Sequence, residues 1–378
     1  MTVGDDEDDG EGRGEALPLP PPRENPELLG HAAAEETLLA CWRAGRMPHA
    51  WLITGPCGVG KATFAFRCAR FLLAQKDAGA DLLGDGPSSL AMAPEQRVFR
   101  LVASGGHPDL LVVERGYDQR RKRMRTEIVV EDVRKISALL RLTAADGGWR
   151  VVIVDDADDM NPSSANAVLK ILEEPPPRAV LMLLSENPGR LLPTIRSRCR
   201  ILALKPLALA EVAAALERYR PDLGAAERAE LAGLAEGSIG RALSLAAGGG
   251  LDLYRQLSRL LARLPELDAE GLNALADSVA RAGAEEAWAL VGELLPHWIA
   301  RMVALAGGSE ARAVVSGEDA AMRALAARRS LDQWVEVWEN VNHLFREADS
   351  VNLDRKQVVL NAFFALEAAA RTPAGERP

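Results

Sequence analysis

The fold is decided by the stretch Trp51-Leu-Ile-Thr-Gly55-Pro-Cys-Gly-Val-Gly60-Lys61-Ala62-Thr63. Its first four residues form a β-like run, the glycines form a turn, and helical sequence follows, which is the context that a phosphate-binding P-loop needs. Glycines let backbone N–H groups converge on phosphate oxygens, and the helix N-terminus adds its positive end. The sequence therefore predicts that Lys61 reaches the β- and γ-phosphates of a nucleotide. A glycine-rich turn without a ligand is the alternative.

A second apolar run ends in acids, Val151-Val-Ile-Val-Asp155-Asp156-Ala-Asp158. In the Walker B arrangement the first acid after the strand holds Mg²⁺ or its water, and that position is Asp155. The next residue in many active ATPases is Glu, which orients the attacking water. Here it is Asp156, whose carboxylate falls short by roughly an ångström. Acids at strand ends are common, so the prediction rests on the order of the two motifs.

The P-loop itself departs from that of an active ATPase. The residue after Lys61 is usually Ser or Thr, whose hydroxyl binds Mg²⁺, but here it is Ala62. Thr63 lies about 100° further round the helix, so its hydroxyl points elsewhere. The sequence therefore predicts ATP as the candidate cofactor and disfavours Mg-dependent hydrolysis. The candidate nucleotide-binding residues are Gly55, Gly58, Gly60, Lys61, Ala62, Thr63, Asp155 and Asp156.

Five short β-rich runs alternate with helical patterns between residues 25 and 205. Several are almost wholly apolar, as parallel strands buried on both faces are, so the fold class is α/β. The predicted strands are Trp51–Thr54, Leu110–Val113, Val151–Val154, Val180–Leu184 and Arg200–Leu204. We expect little regular structure in Asp77–Gly106, which is rich in Gly, Ala, Pro and Ser.

The rest of the chain is predicted to be helical. Three short helices are expected at about 208–219, 225–235 and 238–247, and the helical pattern then continues towards the C-terminus, with Pro296 as a kink or boundary. Aromatic and aliphatic residues recur there at helical spacing. The predicted divisions are a disordered acidic tail (1–24), a P-loop α/β domain (25–205), a three-helix lid (206–250) and a helical domain (251–372).

Two further segments carry a family resemblance. They are the helix Asn166-Ala-Val-Leu-Lys-Ile-Leu-Glu173-Glu174-Pro175-Pro176 and the segment Leu191-Leu-Pro-Thr-Ile-Arg196-Ser197-Arg198-Cys199. With the entry segment Leu29-Gly30-His31 and the two motifs above, they resemble the bacterial clamp-loader branch of AAA+ proteins over about residues 25–250. The resemblance implies a RecA-like AAA+ domain, a three-helix lid and an all-α collar for oligomerisation. It also implies that Arg198 is an arginine finger acting in trans on a neighbour's γ-phosphate. The alternative is an arginine paired with an acid of its own chain.

In the family that the chain resembles, other positions distinguish the subunits that hydrolyse ATP (the motors) from a rigid neighbouring subunit. The gamma/tau ATPase subunits have GKT or GKS in the P-loop, a four-cysteine zinc module after it, and an arginine in a Gly-Ser-x-Arg sensor. Here that segment is Gly237-Ser238-Ile239-Gly240, with Arg241 displaced by one, and the other sensor segment is Ser185-Glu186-Asn187. The candidate sensors are Asn187 and Arg241. This pattern favours a subunit that serves as a rigid neighbour of the motors. The implied partners are gamma/tau and delta subunits, the sliding clamp and, through the complex, primed DNA.

Composition restricts the other possibilities. The chain is 48% apolar and 26% charged, with a net charge of −9, and its first 17 residues hold seven acids against one arginine. Such a tail is predicted to be disordered. Four cysteines at wide spacing and five scattered histidines predict no zinc and no other structural metal. The acidic start and the lack of an 18-residue apolar run predict a cytoplasmic protein without a membrane partner.

One basic run is not explained by the clamp-loader motifs, Arg120-Arg121-Lys122-Arg123-Met124-Arg125. Clusters of cations are common where proteins meet DNA phosphates, so Arg121, Lys122 and Arg123 are candidate DNA contacts. A solvated hairpin tip without a ligand is the alternative.

Three functions therefore remain open. The first is a clamp-loader subunit that donates Arg198. The second is a motor that hydrolyses ATP itself, such as a gamma/tau-like subunit or a helicase-loading AAA+ enzyme. The third is a nucleic-acid-binding protein that works through the basic run.

Overall fold

The computed structural model describes residues 19–75, 87–118, 122–144, 148–309, 313–351 and 353–371. Most of the predicted acidic tail therefore lies outside the described residues. The contacts between residues divide the chain into two compact units. The first comprises Leu17–Ala215 with Glu236–Arg241, and the second comprises chiefly Leu216–Ala235 and Ala242–Pro378.

The first unit is built on a five-stranded parallel sheet with the strand order β2-β5-β6-β1-β7. A separate antiparallel hairpin is formed by β3 and β4, each of two residues. All five predicted strands are present, and each end lies within one residue of its prediction, which confirms the α/β fold class. The strands are β1 Ala50–Thr54, β2 Leu110–Val113, β3 Tyr117–Asp118, β4 Arg123–Met124, β5 Arg150–Val154, β6 Ala179–Ser185 and β7 Arg200–Ala203.

Both faces of this sheet are buried, which explains the apolar composition of its strands. Along β1, Trp51 and Ile53 belong to one apolar core, whereas Ala50 and Leu52 belong to the other. This alternation is what the two-residue period of a strand produces when helices cover both faces. The helices are α1 Ala32–Arg43, α2 Lys61–Ala74, α3 Arg97–Ala103, α4 Val130–Arg141, α5 Pro162–Glu173 and α6 Pro193–Arg196.

Helix α3 corrects one expectation, since Asp77–Gly106 was predicted to have little regular structure. The described part of that stretch contains this two-turn helix, which buries Phe99 and Val102. The guanidinium of Arg70 lies 4.5 Å from the Phe99 ring centroid. The helix is therefore held by packing against α2, which a composition rich in Gly and Ser does not reveal. Residues 76–86 of the stretch lie outside the described ranges.

Three short helices follow, α7 Leu209–Tyr219, α8 Ala225–Leu234 and α9 Ile239–Ala247. They match the helices expected there to within one residue at each end. The start of α9 belongs to the first unit, whereas α8 belongs to the second. The division of the chain into a tail, an α/β domain, a lid and a collar remains a prediction.

The described part of the second unit is all-helical. Trp288, Trp298, Trp334 and Phe345 recur at helical spacing and are all buried, so they form the core of this unit. Helix α12 continues through Pro296, which is therefore not a boundary. The remaining helices are α10 Gly250–Ala262, α11 Ala269–Ala280, α12 Glu285–Ala306, α13 Glu318–Ala326, α14 Leu331–Val351 and α15 Arg355–Arg371.

Helix α12 is long and apolar enough to cross a membrane, by length and composition alone. However, 56% of its most apolar 18-residue window is buried inside the structure. Buried core helices of soluble proteins are often as long and apolar as this. Among the described residues, no other helix meets both criteria. This helix therefore gives no indication of a membrane protein.

Candidate functional site

The carboxyl ends of three parallel strands bring the predicted nucleotide-binding segments together. Strand β6 lies between β5 and β1, with Leu183 beside Val154 and Ser185 beside Thr54. The P-loop follows β1, Asp155 and Asp156 follow β5, and the Ser185-Glu186-Asn187 segment begins at the last residue of β6. Ligands of open α/β sheets bind at this edge, so the topology itself positions the candidate site.

The P-loop has the backbone that its glycines predict. Gly58 and Gly60 have φ values of 69° and 107°, a region that residues with a Cβ rarely adopt. Gly60 directly precedes helix α2, whose first residue is Lys61. The ring nitrogen Nε2 of His31 lies 2.8 Å from the carbonyl oxygen of Val59. Because a carbonyl can only accept, the imidazole donates from Nε2 and ties the entry segment to the loop.

Lys61 is bonded entirely within its own chain. Its ammonium group donates to the carbonyl oxygens of Gly55 at 2.9 Å and Pro56 at 2.8 Å. It also lies 3.3 Å from the Glu186 carboxylate. An ammonium group has three protons to donate, so these acceptors can satisfy all of them. A nucleotide phosphate would have to replace Glu186 at this lysine, whose side chain is only 7% exposed.

The start of helix α9 closes against the P-loop. The backbone N–H of Gly240 donates to the carbonyl oxygen of Gly58 at 3.0 Å. A Cβ on Gly240 would lie 2.9 Å from the Gly58 Cα, closer than real Cβ atoms come to backbone. The glycine at this sensor position is therefore required by close approach. The displaced Arg241 lies with its guanidinium 3.4 Å from the Glu236 carboxylate.

The carboxyl groups of Asp155 and Asp156, which follow β5, both have raised pKa values. Burial, followed by the charge of Asp156, raises the pKa of Asp155 to about 6. Burial also raises the pKa of Asp156, and the charge of Glu186 adds to this effect. The backbone N–H of Asp155 donates to the carbonyl oxygen of Val113 at 2.8 Å. Repulsion between neighbouring carboxylates therefore opposes their ionisation at this strand end.

Asp158 organises the segment after β6, a role that sequence analysis missed. Its carboxylate accepts hydrogen bonds from the Ser185 hydroxyl at 2.7 Å, the Glu186 N–H at 2.7 Å and the Asn187 N–H at 3.0 Å. These bonds fix Glu186 opposite Lys61 and leave the Asn187 side chain exposed at the edge of the site. A carboxylate four residues past a strand has no distinctive sequence signal.

The position that would hold Mg²⁺ fits the ion poorly. The Ala62 methyl group packs against the apolar core of the sheet and offers no oxygen. Thr63 is half-buried on the same helix. Within the described ranges, no group of three or more His, Cys, Asp or Glu side chains is arranged to hold a metal ion. The glycine loop thus fits phosphate, whereas the residues beside it do not supply the usual magnesium hydroxyl.

Arg198 lies after the short helix α6, away from the P-loop motif in sequence. One guanidinium nitrogen donates to the Thr194 carbonyl at 3.0 Å, and the other lies 2.9 Å from a Glu173 carboxylate oxygen. Its side chain is 35% exposed. In the isolated chain Arg198 therefore pairs with an acid of its own, and this acid comes from the other motif segment of the family resemblance.

The basic run is described only in part. Arg121 lies outside the described residues, and only the backbone of Arg123 is described. Lys122 is exposed. Arg123 and Met124 of the run form strand β4, which pairs with β3 in the hairpin. The predicted DNA contacts therefore remain a prediction.

The sheet order, the P-loop after β1 and the acids after β5 define a P-loop protein of the AAA+ class. Residues 30–208 match the family described as "DNA polymerase III, delta subunit". The DNA polymerase III subunit delta′ of Pseudomonas aeruginosa is 39% identical over 193 residues, which are 50% of this chain and 53% of that protein. The subunit delta′ of Escherichia coli is 36% identical over 173 residues, 45% of this chain and 46% of that protein. Over about half of its length, the chain is therefore similar to DNA polymerase III delta-prime subunits.

The match does not extend over whole proteins. It spans about half of the length of these delta-prime relatives. The subunit tau of Escherichia coli is 29% identical over 275 residues, which are 70% of this chain but 39% of that protein. The chain is thus also similar to the tau subunit, from which its P-loop residue Ala62 and its Gly240 were predicted to distinguish it.

Proposed function

We propose that this chain acts in trans within a bacterial clamp loader. As the delta-prime subunit, it donates Arg198 to the γ-phosphate of ATP held by a neighbouring subunit, and so helps to load the sliding clamp onto primed DNA. Its own P-loop hydrolyses ATP weakly or not at all. The observation that carries this proposal is a contrast in exposure. Both side chains are paired within the chain, but Lys61 is only 7% exposed, whereas Arg198 is 35% exposed at the surface.

The chemistry proposed for Arg198 is electrostatic. In phosphoryl transfer, charge builds on the γ-phosphate oxygens, and an arginine supplied by a neighbour stabilises it by a factor on the order of 10³–10⁵ in rate. The pair with Glu173 does not prevent this role, because exposed ion pairs contribute only about 0–1 kcal/mol. A phosphate with several negative charges can therefore take the place of Glu173 as the partner of the guanidinium.

The local site supports binding more than hydrolysis. ATP, when bound, would supply phosphates to the backbone N–H groups of the loop at Gly55, Gly58 and Gly60 and to Lys61. These residues would orient the phosphates once the ion pair between Lys61 and Glu186 had been broken. Ala62 contributes no Mg²⁺ hydroxyl, and the shorter Asp156 replaces the glutamate that usually positions water. Asn187 and Arg241 remain the candidate sensors, although Arg241 is paired with Glu236.

The partners follow from the family. We infer that the chain assembles with gamma/tau and delta subunits, contacts the sliding clamp through that complex, and works in the cytoplasm. A chain that carries a trans-acting arginine needs a neighbour that binds ATP, so its function requires the assembly.

The isolated chain provides the first test. Purified alone, it is expected to hydrolyse ATP well below about 1 s⁻¹, the lower end of the usual enzyme range. Mixed with gamma/tau and delta subunits, it should co-elute with them on size exclusion, and the complex should hydrolyse ATP in response to clamp and primed DNA. Turnover by the chain alone above that rate would instead identify a motor subunit.

A further inference from the structure

The hairpin of β3 and β4 exposes two large apolar side chains side by side. Tyr117 is paired with Met124 across the strands, and the two are 54% and 56% exposed. Residues directly opposite each other in an antiparallel pair project to the same face. The two side chains therefore form a small exposed platform, which we call the Tyr117–Met124 platform. Packing within the described unit does not explain it, because neither side chain is buried.

The sequence around this platform is rich in cations. Lys122 is exposed and directly precedes β4. Between residues 115 and 125 the sequence contains six Lys or Arg residues and one acid, although the whole chain has a net charge of −9. A local excess of positive charge on an acidic protein points to a polyanionic ligand.

The base of the hairpin is fixed to the body of the unit. Arg115 lies 3.3 Å from the Asp159 carboxylate, and Arg125 lies 3.7 Å from the Asp132 carboxylate. The backbone N–H of Arg125 also donates to the carbonyl oxygen of Gly116 at 2.9 Å. These contacts join the base of the hairpin to the body of the unit.

We propose that the Tyr117–Met124 platform and Lys122 bind single-stranded nucleic acid. An unpaired base stacks on the Tyr117 ring and against the Met124 thioether, and an adjacent phosphate lies near Lys122. Aromatic stacking beside a basic surface is how proteins hold single strands without sequence preference. A duplex offers phosphates but no free base face, and two side chains give too little area for a stable protein partner, which buries about 800 Å² on each side.

The test uses the full chain without partner subunits. Fluorescence anisotropy would measure binding to a labelled oligothymidylate and to a duplex of equal length, over a range of salt concentrations. Tyr117→Ala is expected to weaken single-strand binding about 5-fold or more, whereas Tyr117→Phe should retain it because the ring remains. Met124→Ala should weaken it less, and Lys122→Gln should lower its dependence on salt.

Matched controls separate this site from general surface effects. Phe364 is 51% exposed on α15, so Phe364→Ala removes a comparably exposed ring, and Lys205→Gln removes an exposed lysine elsewhere. Both should bind as the wild type does. The proposal is overturned if Tyr117→Ala binds the single strand as tightly as the wild type. It is also overturned if the duplex binds as tightly as the single strand, or if vesicles with anionic lipid bind more tightly than either. Because no partner subunit is present, none of these outcomes bears on Arg198.

Discussion

At the scale of single residues, Lys61 and the acidic side chains near it interact with one another. Lys61 pairs with Glu186, and the Glu186 charge in turn raises the pKa of Asp156. Asp156 is also the second cause, after burial, of the raised pKa of Asp155. Burial first, and then the charge of Asp156, therefore make an ionised Asp155 unfavourable in the folded chain.

This arrangement predicts how stability depends on pH. The pKa of Asp155 rises from 3.8 to about 6 on folding, so the folded chain binds the extra proton between those values. The resulting stabilisation is complete below about pH 4 and is lost as pH rises through about 6. Asp155→Asn cannot ionise, and its amide oxygen can still accept the hydrogen bond from the Asp156 N–H. We therefore expect this variant to be more stable than the wild type at pH 8, by on the order of 1–2 kcal/mol, and equal to it near pH 4.

Urea denaturation at both pH values would check this prediction, with Glu336→Gln, an exposed residue in the interior of α14, as the control for a lost surface charge. The control should match the wild type at both. A larger gain for Asp155→Asn at pH 4 than at pH 8 would show that the sign of the shift is wrong.

Sequence analysis could propose site residues but not the contacts between them. Fixed spacing and strand context make Gly60, Lys61 and Asp155 candidates, and their roles stay predictions. The hydrogen bonds of Asp158 and the contact of His31 with Val59 were missed, since both join segments that are distant in sequence. The pair between Lys61 and Glu186 was missed for the same reason.

At the scale of elements, the close contact between α9 and the P-loop depends on one glycine. Gly240 is a helical residue, so replacement by Ala would normally stabilise by up to about 1 kcal/mol. Here the added Cβ would lie 2.9 Å from the Gly58 Cα, and backbone must move. We expect Gly240→Ala to lower the free energy of unfolding by about 1–3 kcal/mol, as overpacking does.

Gly233 in α8 is the matched control for this substitution. It is also helical, and a Cβ there would meet nothing closer than a Val314 methyl at 3.6 Å. Gly233→Ala should be as stable as the wild type or slightly more stable, by chemical denaturation. If Gly240→Ala behaves in the same way as Gly233→Ala, then α9 does not pack on the loop as described.

Element boundaries were predicted well where periodicity was strong. The strands of the sheet are apolar and flanked by turns, so their ends were found to within one residue. Helix α3 was missed because its seven residues are too few to show a helical period and because the residues before it suggest a loop. Pro296 lies inside α12 and is not a boundary, because buried side chains on both sides of it pack as parts of one helix.

At the scale of the whole molecule, the regularly spaced aromatic residues of the second unit belong to its core. Trp298 and Trp334 are fully buried, and Trp288 and Phe345 are nearly so. Spacing alone could not distinguish a core from an interface, because both need apolar residues on one helix face. Among the described residues of this unit, the exposed large apolar side chains are Leu331, Val335, Leu353 and Phe364.

The central claim is that the chain acts on a neighbour's nucleotide and not on its own. The direct measurement is steady-state ATP turnover by the reconstituted clamp loader, with clamp and primed DNA, carrying one variant of this chain at a time. Arg198→Ala should reduce turnover at least 10-fold, since it removes charge stabilisation at the neighbour's γ-phosphate. Arg196→Ala, which removes a cation two residues earlier, should have little effect.

Lys61→Ala should change that turnover less than 2-fold, because this lysine can act only on nucleotide bound in its own chain and Ala62 already leaves that site without a magnesium hydroxyl. All variants should first be shown to enter the complex in equal amounts. A loss of turnover in Lys61→Ala, with Arg198→Ala close to the wild type, would contradict the account and make this chain a motor subunit.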